Sequence, residues 1–152
     1  CSQNKIHQYL GKVSGPLLDR IDIHIEVPAI KYMELSDNTP AESSAQIKKR
    51  VNKARDLQEA RFSSEGSAAN KGRISFNAQM SHRQTRKYCV LGKEENNLLR
   101  TAMDSFRLSA RAFDKILKIS RTIADLAGCE TIGTPHLAEA INYRSLDRGF
   151  FV

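Results

Sequence analysis

The segment ARAFDKILKISRTIADLA, residues 110–127, shows the clearest helical periodicity of the chain. Its apolar residues recur every three or four positions and therefore cover one broad face of a helix. They are Phe113, Ile116, Leu117, Ile123, Ala124 and Ala127. Ser109 precedes the segment as a typical N-cap, and Gly128 follows it as a typical helix stop. Because so wide an apolar face has to be covered, we predict that this is the central helix of a helical domain.

Further helical patterns lie on both sides of this segment. Three lie upstream, at about 44–62, 81–89 and 93–107. A fourth lies downstream, where Thr134 is a suitable N-cap and Pro135 suits the first helical position. Together these patterns predict a mainly α fold, in which the sequence from residue 44 onward forms an all-helical bundle.

The first 43 residues follow different patterns. Residues 4–13 have the spacing of a short amphipathic helix. Residues 21–27 alternate between apolar and polar side chains, which predicts an edge strand with one face in water. The apolar positions of that strand are Ile21, Ile23, Ile25 and Val27. Residues 29–43 are rich in Ser, Asp, Asn and Pro, which is typical of a linker.

The composition is that of a globular protein, with 40% hydrophobic and 27% charged residues. No apolar run approaches the roughly 20 residues of a transmembrane helix, and the polar start is unlike a signal peptide. The three cysteines are scattered, so we expect a reduced, cytoplasmic location rather than a disulfide scaffold. Neither they nor the four histidines have metal-binding spacing, so we expect no metal site. Cys89 lacks an activating neighbour and is expected to be packed rather than reactive.

The basic balance of the chain indicates either a polyanionic partner or a solvated basic surface. Lys and Arg number 24 against 17 Asp and Glu, which gives a net charge of +7. The helix predicted at 44–62 carries the densest cluster, which could contact nucleic-acid phosphates: Lys48, Lys49, Arg50, Lys53, Arg55 and Arg61. Acidic residues interrupt this cluster and no aromatic residues interleave it, which favours a solvated face.

Two arginines lie at positions that suggest a role beyond solubility. Arg111 falls in the first turn of the central helix, where the helix dipole disfavours a cation by about 0.3–1 kcal/mol. A bound phosphate between the helix end and the guanidinium would explain it, and an ordinary surface arginine is the alternative. Arg20 follows Asp19 at the start of the predicted strand, where a local ion pair is the simplest interpretation.

Three stretches resemble a known family when they are taken together. SGPLLDRIDIHIEVP (14–28), LSARAFDKILKISRTIADLAG (108–128) and AINYRSLD (140–147) are similar to the C-terminal part of AAA+ ATPases of the magnesium-chelatase subunit I-like group. The sequence of the first stretch is most similar to the competence-protein (ComM-type) branch. The resemblance implies that residues 1–28 are the tail of an ATPase core, 29–43 a linker and 44–152 a helical lid domain.

The resemblance also implies roles for the two arginines. Arg20 is similar to an arginine finger, which reaches the γ-phosphate of ATP on a neighbouring subunit, and Asp19 would orient it or bridge to that neighbour. Arg111 is similar to the sensor-2 arginine of the lid, which contacts ATP phosphates. The partners implied are further copies in a homo-hexamer and DNA, because the ComM-type branch couples ATP hydrolysis to branch migration during recombination and natural transformation.

The sequence contains no G-x-x-x-x-G-K-[ST] motif and no apolar run ending in Asp-Glu. We therefore expect that this chain alone neither hydrolyses ATP nor binds it tightly, and that ATP and Mg²⁺ are held by a longer parent ATPase. The start at Cys1 rather than Met agrees with a fragment, and Cys1 is similar to the last residue of a cysteine-rich insertion of the family. Two alternatives remain: a motor subunit of a magnesium chelatase, and a free-standing helical nucleic-acid-binding module.

Overall fold

The computed structural model describes residues 2, 5, 8–9, 11–12, 15–29, 40–63 and 74–144. These residues are mainly helical, which confirms the predicted fold class. The elements are α1 (Gly15–Leu18), α2 (Ser44–Ser63), a 3₁₀ helix (Asn77–Gln79), α3 (His82–Tyr88), α4 (Lys93–Phe106), α5 (Ala110–Leu126) and α6 (Thr134–Asn142). None of the described helices is long and apolar enough to cross a membrane.

Helix α5 is the centre of the bundle, as its apolar face predicts. It packs against α2, α3, α6 and the 3₁₀ helix, and Ile116, Leu117 and Ala124 are buried in the core. Ser109 is its N-cap, because the Ser109 Oγ accepts a hydrogen bond from the Ala112 N–H at 3.1 Å. Gly128 follows with φ of +72°, a left-handed conformation that favours glycine. Ser109 and Gly128 therefore begin and end this helix as the sequence predicts.

Side-chain caps also begin two other helices. Ser43 and Gln46 at α2 form a reciprocal pair of hydrogen bonds between side chain and backbone, and α3 begins with an equivalent pair. Helix α6 differs from the prediction by one position, since Gly133 is its N-cap and Thr134 its first residue. Thr134 Oγ1 instead donates to Glu95 Oε1 at 2.8 Å, so its hydroxyl links α6 to α4. That hydrogen bond lowers the pKa of Glu95.

Among the described residues, helix α2 packs on the bundle through its C-terminal half. Ala54, Gln58 and Phe62 are buried, whereas all residues of 44–53 are exposed. The helical spacing of this segment predicts one apolar side formed by Ile47, Val51, Ala54 and Leu57. Ala54 is buried, whereas Ile47, Val51 and Leu57 are 40–44% exposed. The prediction therefore holds for Ala54 and is wrong for the other three, because the buried residues follow a spacing of four and the contact surface is rotated away from the predicted side.

The predicted edge strand at 21–27 does not form. The described part of the chain contains no strand, and these four apolar residues are exposed: Ile21, Ile23, Ile25 and Val27. A strand requires a neighbour that pairs with its backbone groups, and here the His24 N–H donates instead to the Tyr143 carbonyl at 2.8 Å. The side chain of His24, expected in water, is buried.

Part of the N-terminal prediction lies outside the described residues. Residues 5, 8 and 9 are helical, in agreement with a helix at 4–13, but the rest of that segment is not described apart from residues 11 and 12, which form a turn. Most of the predicted linker 29–43 and Cys1 also lie outside the description.

Candidate functional site

The candidate site lies where residues 19–22 meet the N-terminal end of α5. The Ser109 Oγ donates to Asp19 Oδ1 at 2.8 Å, and Arg111 Nη1 donates to Asp19 Oδ2 at 3.2 Å. Asp19 of the LLDR motif (17–20) and Arg111 of the LSAR motif (108–111), 92 positions apart in sequence, are thus in direct contact. The carboxylate also places a negative charge at the positive end of the helix dipole, which explains how Arg111 is tolerated in the first turn.

Arg111 is held on one side only. Its side chain is 58% exposed, and the bond to Asp19 uses one of the five N–H groups that a guanidinium carries. An exposed ion pair of this kind contributes about 0–1 kcal/mol to stability. The contact with Asp19 therefore adds little to the stability of the fold, and its main consequence is that it orients the Arg111 guanidinium.

Arg20 directly follows Asp19 in the sequence, and its side chain is exposed. It makes no hydrogen bond or ion pair with the residues that the structure describes, and only its backbone N–H is engaged, with the Leu17 carbonyl at 3.0 Å. The simple Asp19–Arg20 ion pair is not formed, because the carboxylate of Asp19 faces Ser109 and Arg111. Within the described residues the Asp19 carboxylate therefore contacts Arg111, and the predicted orientation of Arg20 by Asp19 stays a prediction.

Lys115 is a member of the site that the sequence analysis missed. Its Nζ donates to the Asp19 carbonyl at 2.8 Å and the Ile21 carbonyl at 3.3 Å, and lies 2.8 Å from Asp22 Oδ1. Its position four residues after Arg111, on the same face of α5, is the signal that could have found it. Lys115 thus fixes the backbone on both sides of Arg20.

Comparison with known proteins decides the family. A family model described as magnesium chelatase, subunit ChlI C-terminal, matches residues 41–144, and one described as magnesium chelatase, subunit ChlI, matches residues 1–35. The chain belongs to the magnesium chelatase subunit ChlI family. The resemblance inferred from the sequence is confirmed, and the contact between Asp19 and Arg111 joins the two matched regions of the ChlI family.

Curated relatives match nearly the whole chain. The competence protein ComM of Haemophilus influenzae is 39% identical over 148 residues, which cover 97% of this chain and 27% of that protein. Uncharacterized proteins YifB of Escherichia coli and Salmonella typhimurium are 37% and 36% identical over 149 residues, again 97% of this chain and 27% of each relative. The chain therefore spans about a quarter of the length of these relatives. Membership of the ChlI family makes it an AAA+-type protein.

A second polar cluster of this ChlI-family chain is buried and structural. We call Arg61, Asn77, Arg121 and Asp125 the Asp125 cluster. Asp125 Oδ2 accepts hydrogen bonds from Arg61 Nη1 and Asn77 Nδ2, each at 2.8 Å, and Oδ1 accepts from Arg121 Nε at 3.1 Å. Arg121 and Asp125 are 3% and 2% exposed. The cluster joins α2, the 3₁₀ helix and α5.

The Asp125 cluster corrects one interpretation of the basic helix. Arg61 does not belong to a nucleic-acid surface, because its guanidinium is committed to Asp125 and Asn77. The spacing of Arg121 and Asp125, four residues apart within an apolar face, could have indicated a buried pair.

The remaining basic candidates on α2 are exposed: Lys48, Lys49, Arg50 and Lys53. Arg50 pairs with Glu42 at 2.7 Å, and both side chains are largely exposed. Arg55 instead stacks over the Phe76 ring, 4.8 Å from its centroid. Within the described residues no group of three or more His, Cys, Asp and Glu could hold a metal ion.

Cys89 is buried in the core, in agreement with the packed state that the sequence predicts. Burial raises the pKa of the Cys89 thiol to about 12, although Arg121 and Arg61 partly oppose the shift. Cys129 is exposed. The two cysteines therefore differ in environment within one chain.

We expect iodoacetamide at pH 8 to alkylate Cys129 at least about a hundredfold faster than Cys89, because the thiolate is the reactive form. Peptide mapping by mass spectrometry distinguishes the two sites, and denaturant should make their rates similar. Equal alkylation of Cys89 and Cys129 in the native chain would contradict the buried position of Cys89.

The raised pKa of Cys89 also predicts a dependence of stability on pH. As pH rises above the ordinary range of thiol pKa values, the unfolded state loses the Cys89 proton before the folded state does, so the free energy of unfolding should fall.

Proposed function

We propose that this chain is part of a AAA+ motor that couples ATP hydrolysis to DNA remodelling, and that it carries the arginine finger and the helical lid domain of that motor. The observation that carries the proposal is the contact of Asp19 with Arg111, which joins two motifs while Arg20 and most of Arg111 stay exposed. Exposed guanidinium groups suit nucleotide phosphates, which Arg binds with planar, bidentate geometry. We call the longer parent protein the full-length motor.

In the full-length motor, Arg20 stabilises the charge that develops on the γ-phosphate bound by a neighbouring subunit, and Arg111 contacts the phosphates and reports the nucleotide state. ATP and Mg²⁺ are held by the parent's core, and the subunits form a homo-hexamer. Residues 1–28 act as the tail of that core, 29–43 as the linker and 44–152 as the lid. Support comes from membership of the ChlI family and from the accessibility of both arginines.

The proposed substrate is branched DNA in the cytoplasm. A relative that is 39% identical is named a competence protein, and the chain carries a net charge of +7. The half of α2 that extends beyond the bundle presents its basic residues without burial, as contacts to a phosphate backbone require. The proposed contacts are Lys48, Lys49, Arg50 and Lys53.

The test of this function uses the full-length motor with a synthetic four-way DNA junction. We expect ATP-dependent branch migration and DNA-stimulated ATP turnover. Replacing Lys48, Lys49 and Lys53 together by alanine should weaken DNA binding about tenfold or more. The slope of the logarithm of the DNA-binding constant against the logarithm of the salt concentration should become shallower by about 2–3.

The matched control removes the same charge from other exposed positions of the chain, by replacing Arg83, Lys93 and Arg100 with alanine. It should leave DNA affinity nearly unchanged. Equal effects of the two triple variants would remove the assignment of DNA contacts to α2. Absence of any DNA-dependent activity would contradict the DNA-remodelling function itself.

The second candidate function is that of a magnesium chelatase motor, which the descriptions of both matching family models favour. Such a motor would drive ATP-dependent insertion of Mg²⁺ into a tetrapyrrole together with partner subunits. Activity in a metal-insertion assay without any response to branched DNA would select this candidate. The arginine roles proposed above would be the same in both.

A further inference from the structure

We infer that Lys115 is the positioning residue of Arg20 and makes the arginine move as one unit with helix α5. The lid of one subunit would thereby regulate the arginine that the subunit presents to its neighbour. The inference rests on the proposed function, because it assumes that Arg20 acts on a nucleotide. It adds a route by which the state sensed at Arg111 reaches Arg20.

The contacts of Lys115 carry the inference. A lysine ammonium has three N–H donors, and three acceptors surround the Lys115 Nζ: the carbonyls of Asp19 and Ile21 and the carboxylate of Asp22. The two carbonyls belong to the residues directly before and after Arg20. The Lys115 side chain is only 15% exposed, so it is committed to this backbone rather than to solvent.

Further contacts attach the same segment to the lid. Arg144, just after α6, donates through Nη1 to the Ile21 carbonyl, and the Tyr143 carbonyl accepts the His24 N–H at 2.8 Å. Asp19 is bound by two residues at the start of α5. The backbone around Arg20 is therefore fixed to α5 and α6, whereas the Arg20 side chain extends into solvent.

The geometry gives a short path between the two arginines. Lys115 lies one turn after Arg111 on α5, so a shift of α5 caused by phosphate binding at Arg111 also shifts Lys115 and the carbonyls that it holds. Because the position of a catalytic cation sets its effect on the transition state, a displacement of about 1 Å at Arg20 changes turnover strongly. Lys115 is better suited to a test than Arg144, which is fully buried and whose loss would damage the fold.

The test compares four variants of the full-length motor. Lys115→Met keeps the aliphatic stem and removes the three donors, and Lys115→Arg restores donors. Lys118→Ala is the matched control, because Lys118 is on the same helix and its Nζ also binds a backbone carbonyl, that of Ala78 at 3.3 Å. Arg20→Ala serves as the reference. Steady-state ATP turnover, affinity for a fluorescent ATP analogue and amide hydrogen exchange of residues 19–24 are measured on each.

We expect Lys115→Met to reduce kcat about tenfold to a hundredfold with little change in KM or nucleotide affinity. Amide exchange at residues 19–24 should be faster, while exchange in the α5 core stays the same. Lys115→Arg should recover most of kcat, and Lys118→Ala should resemble the parent. A purely structural role would instead change exchange throughout α5 and would not separate kcat from KM.

The possible failures are distinguishable. If Arg20→Ala reduces turnover but Lys115→Met does not, the positioning role is overturned and the proposed function stands. If Arg20→Ala leaves turnover unchanged, the proposed function is overturned, and the positioning role with it. If Lys118→Ala reduces kcat as much as Lys115→Met, the effect belongs to α5 in general and the specific assignment to Lys115 is overturned.

Discussion

Replacing Arg20 by alanine in the full-length motor is expected to leave ATP binding largely intact and to reduce ATP turnover by about 10³-fold or more. The side chain is exposed and bonds to none of the described residues, so its removal costs the fold little. Its effect falls on the transition state, because a permanently charged guanidinium stabilises the charge that develops during phosphoryl transfer. Steady-state turnover together with equilibrium binding of a fluorescent ATP analogue separates the two effects.

Two controls sharpen this prediction. Arg100→Ala removes another exposed arginine, on helix α4, and should leave turnover unchanged. Mixing Arg20→Ala subunits with subunits that cannot bind ATP should restore some activity, because at a shared interface one subunit supplies ATP and the other supplies Arg20. Parent-like turnover of Arg20→Ala would exclude the arginine-finger role, and mixed rings without recovery would exclude its action on the neighbour.

The parts of the fold that the sequence predicted correctly are those determined by interactions between residues close together in the sequence. Helix α5, its N-cap Ser109 and the left-handed Gly128 depend on periodicity and on groups within a few residues. The expected strand at 21–27 was wrong because a strand depends on a partner, and no described residue pairs with it as a strand. The alternation of apolar and polar residues at 21–27 does not show whether such a partner strand is present.

The candidate site could be predicted only in part for the same reason. Their sequence positions singled out Arg111 and Arg20, and the family resemblance gave roles to these arginines and to Asp19. The contact between Asp19 and Arg111, however, spans 92 positions of sequence. Nothing in either motif indicates which side chain the Asp19 carboxylate faces. Lys115 was missed because two of its three partners are backbone carbonyls, which carry no sequence signature, and its spacing of four residues from Arg111 was the only signal. Tertiary packing, not residue type, determines these contacts.

The second large effect is expected from Asp125→Ala, which should lower the free energy of unfolding of this chain by about 3–5 kcal/mol. Asp125 is the only acidic member of the Asp125 cluster, and it accepts from both Arg61 and Arg121. Without it Arg121 stays buried without a counter-charge, although its Nη groups still reach the carbonyls of Cys129 and Glu130. Urea denaturation monitored by circular dichroism measures the loss.

The matched control is Asp114→Ala on the same helix. Asp114 lies 3.0 Å from His82 Nδ1, and 63% of the His82 side chain and 33% of the Asp114 side chain are exposed, so its loss should cost less than about 1 kcal/mol. Adding Arg61→Met to Asp125→Ala should cost less than the sum of the two single changes, because Asp125→Ala has already removed the carboxylate that pairs with Arg61. Additive effects, or a loss at Asp125 no larger than at Asp114, would mean that the cluster does not hold α2 against α5. In that case the apolar contacts of Phe62 with the core would be what attaches α2 to the bundle.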